Sequence, residues 1–175
     1  MSDSLIIYSS TDGHTKTICK RIINFLNDGD EVKLISLDEA TKIDLSKFNK
    51  IIIGASIRYG KHSKDLYKFI ELNKSILDRK QSVFFSVNVV ARKPEKNSPD
   101  TNPYIKKFLK ISKWEPKKIG VFAGKVDYPK YDFFDKYIIK FIMFITKGPT
   151  DTSQSYEFTD WAKVDAFAKQ LWHNS

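Results

Sequence analysis

Residues 5–15 read Leu5-Ile6-Ile7-Tyr8-Ser9-Ser10-Thr11-Asp12-Gly13-His14-Thr15, and the next apolar positions, Ile18, Cys19, Ile22 and Ile23, recur at helical spacing. A short, wholly apolar strand therefore runs through a loop of small hydroxyl residues and one glycine straight into an amphipathic helix. Such a loop can wrap a phosphate, because each hydroxyl can donate a hydrogen bond and the amides at the helix start point at the anion. It lacks the glycine spacing of a dinucleotide fingerprint and the Gly-Lys-Ser/Thr of a P-loop, so NAD and ATP are both disfavoured. The same residues could instead cap the helix, with Thr15 as the candidate N-cap. The loop alone does not separate these readings.

Working outward, strands are expected at Leu5–Tyr8, Glu31–Ile35, Lys50–Ile53, Ser82–Val87 and Ile119–Ala123, and helices at Thr15–Leu26, Lys64–Leu72, Tyr104–Ile111 and Trp161–Trp172. Several strands, such as Ile51-Ile52-Ile53-Gly54 and Val83-Phe84-Phe85-Ser86-Val87, are apolar throughout, as strands covered on both faces should be. Strand then helix, repeated, predicts an α/β fold with a doubly wound, five-stranded parallel sheet. Between the second and third strands only a short turn or helix around Asp44-Leu45-Ser46 is expected. The prolines and asparagines from Asn88 to Pro103 predict an irregular loop, and about 126–150 forms an inserted basic, aromatic helical segment. A chain of 175 residues makes one domain the natural reading, over 1–175.

Two more loops leave buried strands at the carboxyl edge, where ligands of doubly wound sheets bind. One is Gly54-Ala55-Ser56-Ile57-Arg58-Tyr59-Gly60, whose Tyr59 could stack on a flat ring while Gly60 permits close main-chain approach. The other is Ser86-Val87-Asn88-Val89-Val90-Ala91-Arg92. Together with Ser9–Thr15 they make a mononucleotide site suited to a flavin. The basic cluster Arg92, Lys93 and Lys96 could clamp acidic groups of a substrate, or be a solvated loop offset by Glu95 and Asp100.

The formal net charge of +9 points to an anionic partner. Residues 104–147 hold eleven lysines against four acids and so carry most of that excess. Within them Phe134, Ile138, Phe141, Ile142 and Ile145 recur at helical spacing, with Asp132, Lys136, Lys140 and Lys147 on a narrower opposite stripe. The run is too short to cross a bilayer; a core helix, an interfacial helix or one lining a greasy groove all fit. The single cysteine, Cys19, reads as a small buried hydrophobe, and Met1-Ser2-Asp3-Ser4 does not resemble a secretory signal, so a cytoplasmic location is expected.

The phosphate loop STDGHT and the motif GASIRYG resemble those of flavodoxins. The stretches SVNVVARKPEKNSPDTNPY, AGKVDYPKYDFFDKYIIKFIMF and TDTSQSYEFTDW are similar to those of the bacterial menaquinone-dependent protoporphyrinogen IX dehydrogenases, a resemblance running from Leu5 to about Trp172. It departs from the family at Lys147-Gly148-Pro149, where members carry a Gly-Gly pair. The resemblance implies a non-covalent FMN that takes electrons from protoporphyrinogen IX and passes them to menaquinone or ubiquinone, in haem biosynthesis. It places the phosphate on Ser10, Thr11, Gly13, His14 and Thr15, with Asp12 in the same turn, and the ring on Ser56, Arg58, Tyr59, Asn88 and Ala91, with Ser9, Ala55, Ile57, Gly60, Val89 and Val90 flanking. With that substrate, Arg92, Lys93 and Lys96 could clamp the propionates, and the insertion's apolar face and lysines are expected to make the chain peripheral on the cytoplasmic face of the inner membrane, at an anionic surface. None of His14, His62 or His173 is singled out as a general base. The rival readings are an electron-carrying flavodoxin, which tends to be acidic, another quinone-linked flavoprotein reductase, and a nucleic-acid or membrane binding module. A nucleic-acid partner is not expected, no metal is called for, and a homo-oligomer is left open.

Overall fold

The computed structural model describes residues 3–26 and 30–172. Five strands, β1 (Asp3–Ser9), β2 (Glu31–Ser36), β3 (Lys50–Ser56), β4 (Gln81–Val87) and β5 (Lys118–Phe122), form one parallel sheet in the order β2-β1-β3-β4-β5. Side chains alternate across it. Leu5, Ile7, Ile51, Ile53 and Phe84 pack on one face beneath the helices α2 (Leu37–Ala40), α3 (Lys64–Arg79) and α4 (Pro103–Ser112). Ile6, Ile52, Val83 and Phe85 pack on the other beneath α1 (His14–Ile23) and α6 (Trp161–Trp172). Wholly apolar strands are thus the direct consequence of a sheet with no solvent face. Gly54 in β3 is required by this packing, because a Cβ there would lie 2.2 Å from the Phe85 ring.

The helices depart from the sequence expectation in informative ways. α1 stops at Ile23 instead of Leu26, and α3 runs on to Arg79 instead of Leu72. The one-turn α2 was not expected, although its signal is present: Ser36 accepts from the Glu39 amide at 3.3 Å while the Glu39 carboxylate accepts from the Ser36 amide at 2.8 Å, a capping box. The expected turn near Asp44 is a 3-10 turn at Leu45–Lys47. The segment from Asn88 to Pro103 is not irregular throughout, since it folds into 3-10 turns at Val89–Arg92 and Pro94–Lys96. Asn102 Nδ2 donates to Asn88 Oδ1 (3.0 Å) and to Lys96 O (2.8 Å), tying the two ends of that segment together.

The insertion carries its own small sheet. β6 (Lys125–Asp127) pairs antiparallel with β7 (Ser155–Glu157), and between them α5 (Phe133–Ile145) leans on the carboxyl edge of the main sheet. α5 ends where Lys147 adopts a left-handed φ of 57°, the conformation a glycine would accept without strain. No helix among the described residues is long and apolar enough to cross a membrane.

Candidate functional site

The loops after β1, β3 and β4 converge on a cavity of about 280 Å³. Its floor is the amino end of α1. The helix is capped by Gly13 at φ 85°, with no side chain to accept from the first-turn amides and no acidic residue in that turn. Thr15 is therefore not the N-cap; it stands inside the helix. Its Oγ1 is buried without a hydrogen-bond partner, an arrangement that costs free energy unless an acceptor sits against it. Ser10 Oγ accepts from Gly13 N at 2.9 Å, which leaves its own proton to donate. Unpaired amides, hydroxyl donors and the positive end of a ten-residue helix suit a phosphate.

Of the residues singled out in the sequence, Ser10, Thr11, Asp12, Gly13, His14, Thr15, Ser56, Ile57, Arg58, Asn88 and Val89 all line this cavity. Ser9 lies instead in a neighbouring groove, 3.5 Å from Ser63 Oγ. Ala55 and Ala91 are buried in the core. Tyr59, Gly60 and Val90 border a second crevice of about 90 Å³ between the ring loops and α5, with Ile139, Ile142 and Met143 on its far wall. The Asn88 side chain is consumed in shaping its loop, accepting from Ala91 N at 3.1 Å and donating to Ser86 Oγ at 3.1 Å.

Arg92, Lys93 and Lys96 are not brought to either cavity. Arg92 donates from its two terminal nitrogens to Val89 O (2.9 Å) and Thr146 O (2.7 Å), so it fastens the carboxyl end of α5 to the third loop. Residues not foreseen take the opposite wall: Gly124, Lys125, Asp127, Lys130 and Tyr131. They leave the carboxyl end of β5, so the rule that found three loops would have found a fourth. Asp127 accepts from Ser155 Oγ at 2.5 Å and lies near Lys130 (3.3 Å) and Lys125 (3.5 Å). The Ser155 hydrogen bond, with the two lysines behind it, holds its carboxyl below the usual range.

The two described histidines are both tied into hydrogen bonds. Thr159 uses its proton on Ala123 O (2.8 Å), so His14 Nε2 donates to Thr159 Oγ1 at 2.7 Å, and burial lowers the His14 pKa. His62 lies behind the sheet edge against Ser86 Oγ (3.0 Å), its pKa pushed down by burial to about 4. His173 lies outside the described residues. Cys19 is fully buried and its thiol pKa is pushed up, which makes it inert.

Arg58 occupies the wall shared by both cavities. Its NH1 donates to both Asp12 carboxylate oxygens at 2.9 Å and its NH2 to Asp135 of α5. Burial works against its charge, yet the two carboxylates outweigh this and the pKa is raised.

Residues 5–153 match the family described as a flavodoxin domain. A protoporphyrinogen IX dehydrogenase (quinone) of Leishmania major is 44% identical over 169 residues, 95% of this chain and 73% of that protein. The enzyme of the same name from Escherichia coli (strain K12) is 37% identical over 171 residues, 97% of this chain and 94% of that protein. Among solved structures, the two-electron reduced flavodoxin of Megasphaera elsdenii superposes with a TM-score of 0.54 at 13% identity, over 69% of this chain and 85% of that one, a likeness of fold.

Proposed function

The chain belongs to the flavodoxin-like protoporphyrinogen IX dehydrogenase family, and from that premise we propose that it is an FMN-dependent oxidoreductase that converts protoporphyrinogen IX to protoporphyrin IX with a quinone as electron acceptor. The observation that carries the cofactor assignment is the uncapped first turn of α1 with the unpartnered Thr15 hydroxyl beneath it. One terminal phosphate would satisfy both.

FMN, when bound, supplies the two-electron acceptor that no side chain can provide. The protein's part is to hold and shield. Ser10, Thr11, Thr15 and the α1 amides would hold the phosphate; Ser56, Ile57, Arg58, Asn88 and Val89 would border the ring. The Arg58–Asp12 pair and Tyr131 close the cavity toward α5 and restrict water. Lys125 and Lys130 make the mouth attractive to an acidic tetrapyrrole.

The finer part of the reading is where the reaction takes place. The outward face of α5 presents Phe134, Tyr137, Phe141, Phe144 and Ile145, each more than half exposed, flanked by Lys130, Lys136, Lys140 and Lys147. An apolar helix face bordered by cations suits the surface of an anionic membrane, where a quinone resides. The orientation differs from the expected stripe: Ile142 faces the crevice, not solvent.

The deciding experiment is anaerobic. Protein reconstituted with FMN should turn protoporphyrinogen into fluorescent protoporphyrin only when a quinone is added, and mass spectrometry of the released cofactor should give FMN. Release of FAD, absence of flavin after reconstitution, or oxidation indifferent to quinone would overturn the reading.

A further inference from the structure

Arg58 and Tyr59 begin a tight turn, with Arg58 N donating to Lys61 O (2.9 Å) and Lys61 N returning to Arg58 O (3.2 Å). Both central residues have positive φ, 49° at Tyr59 and 73° at Gly60, the pattern of a type I′ turn. Tyrosine is an unfavourable occupant of that position, so the turn carries local strain, which persists only where surroundings hold it. Beyond the two backbone hydrogen bonds, one carboxylate braces it. Asp135, in the first turn of α5, accepts from the Tyr59 hydroxyl and from Arg58 NH2. The guanidinium also lies over two aromatic rings, 5.2 Å from the Tyr59 centroid and 5.3 Å from that of Tyr131. Asp135 itself lines neither cavity, whereas Arg58 lines both.

A guanidinium that lies over two rings, lines the cavity and already grips the carboxylates of Asp12 and Asp135 has the chemistry of a carboxylate receptor. On the reading that the substrate is a tetrapyrrole with carboxylate side chains, we propose that Arg58 is its carboxylate-recognition residue. Asp135 holds that place until an incoming carboxylate displaces it and so frees the amino end of α5. The nearby basic groups do not compete for the role in the same way. Arg92 is committed to two backbone carbonyls, and Lys125 and Lys130, which share Asp127 at the mouth, draw in an acidic ligand as point charges without the two-pronged grip of a planar guanidinium. At the guanidinium the exchange replaces one charge-assisted hydrogen bond from Arg58 NH2 by another, so its intrinsic cost there is small. The gain comes from the rest of the ligand, and the loss is the tether on α5. Asp12, which accepts from the other side of the guanidinium, keeps Arg58 oriented during the exchange.

The test uses FMN-loaded protein titrated with protoporphyrin IX, the air-stable diacid, and with its dimethyl ester, which has the same ring and no carboxylate. Wild type should bind the diacid more tightly than the ester. Asp135→Asn removes the internal competitor and should tighten diacid binding on the order of tenfold, the scale of one charge-assisted hydrogen bond, while leaving the ester unchanged. Arg58→Gln should abolish the discrimination. Hydrogen exchange in residues 133–137 should quicken when wild type binds the diacid, and be fast without ligand in Asp135→Asn. Should Arg58→Gln lose FMN, Asp135→Asn, outside both cavities, decides alone. Equal binding of acid and ester by wild type, or weaker diacid binding by Asp135→Asn, overturns the proposal while quinone-dependent oxidation still upholds the function. Failure of both porphyrins to bind, together with no oxidation of porphyrinogen, overturns the function and this inference with it.

Discussion

The double substitution Phe141→Ser and Phe144→Ser strips apolar surface from the outward face of α5 and leaves every charge in place. Phe141 is 63% and Phe144 72% exposed, so neither supports the fold through much contact. With about 200 Å² per phenylalanine side chain, roughly 270 Å² of ring surface stands in water. At about 25 cal/mol per Å², full burial of that area would be worth about 7 kcal/mol. An interfacial helix sinks only part-way, so about 3 kcal/mol is the realistic loss, roughly a hundredfold in partition coefficient. Lys130, Lys136, Lys140 and Lys147 remain and should each keep contributing about 1 kcal/mol at an anionic surface, so residual binding should be strongly salt-sensitive. The assay is co-sedimentation with anionic and with neutral vesicles, alongside quinone-coupled oxidation, the flavin spectrum and the melting temperature. Binding and oxidation with membrane-embedded quinone should fall, while the flavin spectrum and melting temperature hold. Undiminished sedimentation with anionic vesicles would refute the membrane face; loss of FMN or early melting would show that these rings pack on the domain.

Thr15→Val fills the same space without a hydroxyl and should weaken FMN binding roughly tenfold with the fold intact, measured by flavin fluorescence titration of the apoprotein; unchanged affinity would remove Thr15 from the phosphate site. His62 is buried neutral with a folded pKa of about 4 against 6.5 unfolded, so below pH 6.5 the unfolded chain binds the proton first and stability falls as pH drops toward 4, by about 3 kcal/mol for this group. Urea unfolding at pH 7, 5 and 4 should show that slope in wild type and a shallower one in His62→Gln; parallel curves would contradict the burial argument. Gly54→Ala drives a methyl into the Phe85 ring and should cost about 1–3 kcal/mol, read as a lowered melting temperature; an unchanged one would mean that the ring can step aside. Arg92→Ala leaves the Thr146 carbonyl unpaired and should cost about 1–3 kcal/mol of stability with FMN affinity preserved, whereas a selective loss of substrate affinity would return Arg92 to the substrate.

Much of the site could be read before any coordinates because its signals are local. A wholly apolar run followed by small hydroxyl residues and a glycine dictates strand, turn and helix over a dozen residues, and the doubly wound connection rule then brings all such loops to one edge. Ser10–Thr15, Ser56–Arg58 and Asn88–Val89 line one cavity for that reason. The fourth wall was legible by the same rule, but Lys125 and Asp127 sit in a strand, β6, whose partner β7 is nearly thirty residues further on, a pairing with no local sign.

The sequence by itself determined the five parallel strands, the two-sided core and the hydroxyl-rich loop that opens α1, since each follows from periodicity and turn chemistry over short spans. Tertiary structure alone decided the roles of the arginines and the facing of α5. In a helix apolar almost all round, periodicity cannot say which side is covered; contact with the ring loops puts Ile142 and Met143 inward and leaves Phe141 and Phe144 outward. Arg92 and Arg58 are both arginines on loops at the same sheet edge. Which one fastens a helix through carbonyls, and which stands between cavities paired with carboxylates, depends on residues 54 and 77 positions away, Thr146 and Asp135. Charge and hydrogen-bond partners act through space, and only the folded chain assigns them.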